Sequence, residues 1–138
     1  MSQEIMKLTV DTGAVLVEID DKGKKIGSFR FNPNDLDIVR RYESVLKQLE
    51  DIKISDDADA EEVLKVSDEI KSLMDYLLNY KVSDEIFCKC NPLSPTTNGD
   101  FYVENVLEGI AGLFEQTMNA RLEKKKAKIQ KATAKYTK

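Results

Sequence analysis

Carboxylates, thiols and lysines are the groups whose clustering could do chemistry in this chain, which contains no histidine. That absence removes Ser-His-Asp and Cys-His arrangements and any imidazole general base. No phosphate-cradling loop and no dinucleotide-binding glycine fingerprint occurs either, so nothing marks a nucleotide site. Acidic residues cluster at Asp20-Asp21, at Asp56-Asp57 with Asp59, and at Glu61-Glu62. Such pairs can share a proton or hold Mg²⁺. Here they fall in turns or first helical turns, where solvation and the helix dipole favour acids. The solvated-surface reading is therefore preferred, and Asp56 to Glu61 lacks the glycine and the ligand spacing of a calcium loop. Cys88 and Cys90 are too few for a structural zinc site and poorly placed for a mutual disulfide. They read as free, buried or half-buried thiols. No cofactor, metal site or catalytic residue is expected.

The lysines are more informative. Net charge is −4, yet residues 121–138 hold eight Lys or Arg against one Glu, a balance of +7 that leaves −11 on residues 1–120. An acidic body thus carries a basic tail. Arg121, Lys124, Lys125 and Lys128 open that tail and could contact phosphates or an acidic protein. Nucleic-acid binding would favour interleaved Arg and aromatic residues, whereas the tail has one Arg and one ring, Tyr136. Lysines at a helix C-terminus also complement the macrodipole and keep a fraying end in solution. Nucleic acid is accordingly the disfavoured partner. A second cluster, Phe87, Pro92, Leu93, Phe101 and Tyr102, surrounds a loop. It reads equally as a partner-binding patch or as a cover over the end of a helical core.

These residues need elements to position them. Ile5–Val10, Ala14–Ile19 and Ile26–Phe31 alternate apolar and polar residues with period two, and Gly13 and Gly23 mark tight turns between them. The expectation is a three-stranded antiparallel meander resting its apolar face on helices. Asn34 or Asp35 can cap a first helix over residues 36–53, with Ile38, Tyr42, Val45, Leu49 and Ile52 as its stripe, widened by Val39 and Leu46. A second helix over 60–80 carries Val63, Val66, Ile70, Leu73, Leu77 and Tyr80, with Tyr76 and Tyr80 read as core. Ser83 caps a short third helix. Two prolines and a glycine in 91–99 mark a loop without regular structure. A last helix begins near Asp100, with Gly109 and Gly112 expected to face a close neighbour such as Phe87 or Tyr42.

The fold class that follows is α+β and helix-dominated: the meander, then about four helices in an antiparallel bundle. Residues 1–122 form one domain, and 123–138 form a helical or frayed tail. No run of about 18 apolar residues exists to span a membrane. The N-terminal stretch lacks the pattern of a secretory signal, so the expected setting is cytoplasmic.

Four stretches together carry a resemblance: Phe29-Arg30-Phe31-Asn32-Pro33 with Asp35 and Asp37-Ile38; Asp75 to Tyr80; Ile86-Phe87 through Asn91-Pro92-Leu93; and Phe101-Tyr102 through Glu115-Gln116. They resemble an uncharacterised family encoded among phage and prophage structural genes of Gram-positive gut bacteria. Its size and acidic, helical make-up are similar to those of phage tail assembly chaperones. The resemblance implies a non-enzymatic assembly factor that binds tail structural proteins, such as the tail tube or tape measure, and it carries over no functional residue. The competing readings are a nucleic-acid-associated protein using the basic tail, and a carboxylate enzyme with a divalent metal. A homo-oligomer is compatible with each.

Overall fold

A computed structural model describes residues 3–52, 54 and 56–136. The fold is α+β and helix-dominated, with one two-stranded antiparallel sheet: β1 (Val15–Asp21), β2 (Lys24–Phe31), α1 (Ile38–Asp51), α2 (Ala60–Leu78), α3 (Ser83–Ile86) and α4 (Tyr102–Tyr136). β1 and β2 are joined by Lys22 and Gly23, both in the left-handed region at φ 53° and 86°. This is the backbone of a two-residue hairpin turn whose twist matches that of the strands. Val15, Val17 and Ile19 stand opposite Phe31, Phe29 and Gly27, so one face of the hairpin is apolar throughout. Phe29 and Phe31 are buried and lie 6.5 Å apart between ring centroids.

The third strand expected over Ile5–Val10 does not form, and those residues are exposed without regular structure. The cause lies at their junction with the sheet. Asp11 accepts from the Gly13 N–H at 2.9 Å, Gly13 sits at φ +80°, and the Gly13 carbonyl accepts from Asn34 Nδ2 at 3.3 Å. The chain is tied at that point instead of turning back along β1.

The expected four-helix bundle is likewise replaced by something simpler. α1 and α2 form a helical hairpin, α3 is a single turn against β2 and α2, and α4 joins mainly through side chains. Arg41 near the start of α1 donates to the Leu77 carbonyl at the end of α2 at 2.9 Å and pairs with Asp35, as antiparallel helices require. It satisfies a carbonyl that the end of a helix leaves without a partner. α2 is capped by Asp59, which accepts from the Glu62 N–H at 2.9 Å, and it stops at Asn79 in the left-handed region. Neither Asn34 nor Asp35 caps α1. Asp35 closes a turn onto the Asp37 N–H, and Asn34 holds Gly13 and accepts from Arg121 at 3.1 Å.

Ser83 is not the cap of α3. The Asp75 carboxylate on α2 accepts from the N–H groups of Val82 and Ser83 at 2.8 Å each, and from the Ser83 hydroxyl at 3.0 Å. One side chain eight residues away thus caps α3 and locks it against α2. β2 meets α3 at Gly27, where an added Cβ would stand 2.7 Å from the Glu85 carbonyl oxygen. The core gathers Phe29, Phe31, Ile38, Val45, Ile70, Met74, Leu77 and Ile86 with the first turns of α4, through Val103, Leu107 and Ile110. Beyond Phe114, α4 runs on to Tyr136, and Leu122 is exposed. Gly109 and Gly112 meet no close neighbour, since a Cβ at either would enter open space. Tyr76 lies outside the core, half exposed, whereas Tyr80 packs against it beneath the Arg30 guanidinium at 5.9 Å.

Candidate partner-binding groove

The loop over 91–101 is bonded along its length. Pro92 and Ser94 carbonyls accept from the N–H groups of Val103 and Tyr102 at 3.0 and 2.8 Å. Those donors belong to the first turn of α4 and have no partner inside the helix. The Glu104 carboxylate reaches back to the Phe101 N–H at 3.0 Å, as in a capping box. Pro95 and Phe101 form an isolated bridge, and the Thr96 N–H donates to the Asp100 carbonyl at 2.8 Å. At its other end, Asn91 Oδ1 accepts from the Leu93 N–H and lies 2.9 Å from the buried Ser67 hydroxyl on α2. The loop therefore has no helix or strand, as its two prolines and glycine imply, but its hydrogen bonds make it a strap from α2 to α4.

The strap divides the expected aromatic cluster. Phe87 and Pro92 are buried, and Phe87 meets Tyr102 edge-on at 5.9 Å. The Tyr102 hydroxyl donates to the Ile86 carbonyl at 3.1 Å. Leu93 and Phe101 remain accessible and line a groove of ≈ 500 Å³. Its opposite wall comes from Tyr42, Leu46 and Leu49 of α1, and Ile52 and Ile54 continue it into the connection before α2. Val103 and Leu107 of α4 and Ile70 of α2 form its floor. Among the described residues, Glu50, Glu104 and Glu108 are its charged lining residues, and no cation lines it. Burial pushes the Tyr42 phenol above its ordinary range, and the Glu108 carboxylate adds to the rise. The groove is thus an apolar trough with an acidic lip.

Tyr102 carries the larger perturbation. Burial, then the neighbouring Cys90 and Cys88 thiols and Asp21, push its phenol up to about 12. Between the ordinary tyrosine value of about 10 and that raised value, the unfolded chain releases the proton while the folded chain keeps it. Stability is then fully present below pH ~10 and falls as pH rises through this window. Tyr102→Phe should flatten that alkaline decline, read as denaturant midpoint against pH. It should also cost about 1 kcal/mol at neutral pH through the lost hydroxyl bond.

Of the other expected contact residues, Arg121 and Lys124 are exposed on α4, and Arg121 is fastened to Asn34. Lys125 and Lys128 lie on the α4 backbone, but their side chains fall outside the described residues. Leu46, Leu49 and Glu108 were missed as site residues, although Leu46 had a signal: it widens the α1 stripe beyond what one core face needs. Cys88 is exposed and donates to the Ile26 carbonyl at 3.1 Å, and both cysteines are free thiols. Among the described residues no group of three or more potential metal ligands gathers, and no helix is long and apolar enough to cross a membrane. Comparison with protein-family models, with curated proteins and with solved structures found no match for this chain.

Proposed function

We propose that this chain is a non-enzymatic, protein-binding assembly factor that holds an apolar, positively charged segment of a partner in the groove between α1, the strap and α4. The observation that carries the reading is the pairing of an apolar trough, built from Leu46, Leu49, Leu93 and Phe101, with carboxylates at Glu50, Glu104 and Glu108. Apolar side chains would supply affinity by leaving water, and the acidic lip would select a segment bearing Lys or Arg. The nature of the partner rests on the resemblance carried by Phe29 to Pro33, Asp75 to Tyr80 and the strap. It points to tail tube or tape-measure proteins and to a role like that of phage tail assembly chaperones.

Co-expression with a tail tube or tape-measure protein tests this. The wild type should co-purify with one of them. Leu46→Asp and Glu108→Lys, both at accessible positions, should each weaken capture about tenfold or more, the range of an interface anchor, and leave the fold intact. Equal capture by both variants, or no capture by the wild type, would refute the reading.

A further inference from the structure

A second surface lies against the hairpin. The two edges of the hairpin are unlike each other. The β2 edge is closed by α3, where the Glu85 carbonyl stands over Gly27 and Cys88 bonds the Ile26 carbonyl. Among the described residues, no strand or loop bonds the outer edge of β1. A groove of ≈ 690 Å³ lies between the apolar face of the hairpin, with Val17 and Ile19 of β1 and Phe29 of β2, and one side of α4, with Val106 and Leu113, and the strap borders it at Pro95 and Thr96. An unpaired strand edge beside an apolar trough is a template for one more strand.

The chain also carries a segment with the matching pattern. Met6, Leu8 and Val10 alternate with polar Lys7 and Thr9, and they are 94%, 89% and 67% exposed. They cover nothing in their own molecule, because Gly13 is fastened to Asn34 and sends the segment away from its own β1. We infer that residues 5–10 of one copy add as a strand to the β1 edge of a second copy, with Met6, Leu8 and Val10 filling its β1–α4 groove. The exchange is reciprocal: each copy offers one arm and one groove, which gives a closed two-fold dimer. Gly109 lines the groove and presents no side chain there, so an arriving backbone has room.

The full chain should have twice its single-chain mass by light scattering across a dilution series. Leu8→Asp on the arm and Leu113→Asp on the groove wall should each give the single-chain mass with unchanged circular dichroism. Mixing those two variants should restore a dimer, because the Leu113→Asp chain still has an intact arm and the Leu8→Asp chain an intact groove. Amides of residues 5–10 should be protected from exchange in the dimer and lose protection on dilution. A wild type of single-chain mass overturns the inference, whether its arm is exposed, folded back on its own β1, or reserved for another protein. So does a dimer that survives Leu8→Asp, or a mixture that stays monomeric.

Discussion

Asp75→Ala lowers the unfolding free energy by about 3 kcal/mol, measured by chemical denaturation. The carboxylate accepts three bonds from Val82 and Ser83, and hydrogen bonds to a charged group contribute about 1.5–3 kcal/mol each when removed singly. Three from one side chain are not additive, so the sum is discounted. Alanine leaves two backbone N–H groups at the start of a half-buried turn without an acceptor, and α3 loses its tie to α2. Asp75→Asn keeps Oδ1 for those two N–H groups and should cost clearly less, about 1 kcal/mol. If the alanine variant unfolds within about 0.5 kcal/mol of wild type, the range of a neutral surface change, then Asp75 does not hold α3.

Gly27→Ala is expected to cost about 2 kcal/mol, in the range of over-packing a tight site. The new methyl group would stand 2.7 Å from the Glu85 carbonyl and 3.6 Å from Cys88 Sγ. A flexible side chain could swing aside, but a backbone carbonyl can withdraw only if α3 moves as a body. Asp75 prevents that movement. The two sites are therefore coupled: with Asp75→Ala already present, α3 is free to retreat and Gly27→Ala should cost less than it does alone. A double-mutant cycle reads this directly. Strict additivity would mean that α3 relaxes by some route other than the Asp75 bonds.

Both predictions concern contacts that local sequence rules do not reach. The β1–β2 hairpin was legible, because Val15, Val17, Ile19, Phe29 and Phe31 alternate and Lys22-Gly23 suits a left-handed turn. The helical hairpin was legible from the stripes of α1 and α2, whereas the Asp59 cap of α2 was read only as part of an acidic cluster. The capping of α3 was misread because Ser83 has the right type at the right place, while its true acceptor lies across a helix boundary on α2. The strand over Ile5–Val10 had the correct period, but period does not show whether a covering face exists. Gly109 and Gly112 were expected to permit a close approach and instead face open space.

The candidate groove was half visible. Leu93 and Phe101 stood out by their place beside the loop, and Leu46 widened the α1 stripe. Phe87, Pro92 and Tyr102 share that neighbourhood in sequence, but they turn inward and hold the strap in place. The acidic lip drew no attention in the sequence, because Glu104 and Glu108, one turn apart on α4, are far along the chain from Glu50 and meet it only when α4 packs beside α1.

The proposed function stands or falls on binding at that lip. Its most direct measurement is an NMR titration of the full chain with an amphipathic helical peptide bearing leucines on one face and lysines on the other. A control peptide has glutamates replacing the lysines. The lysine peptide should shift resonances of Leu46, Leu49, Leu93, Phe101 and Glu108 first and most, and the glutamate peptide should not. Shifts confined to the basic end of α4 or to β1, or equal shifts with both peptides, would contradict it.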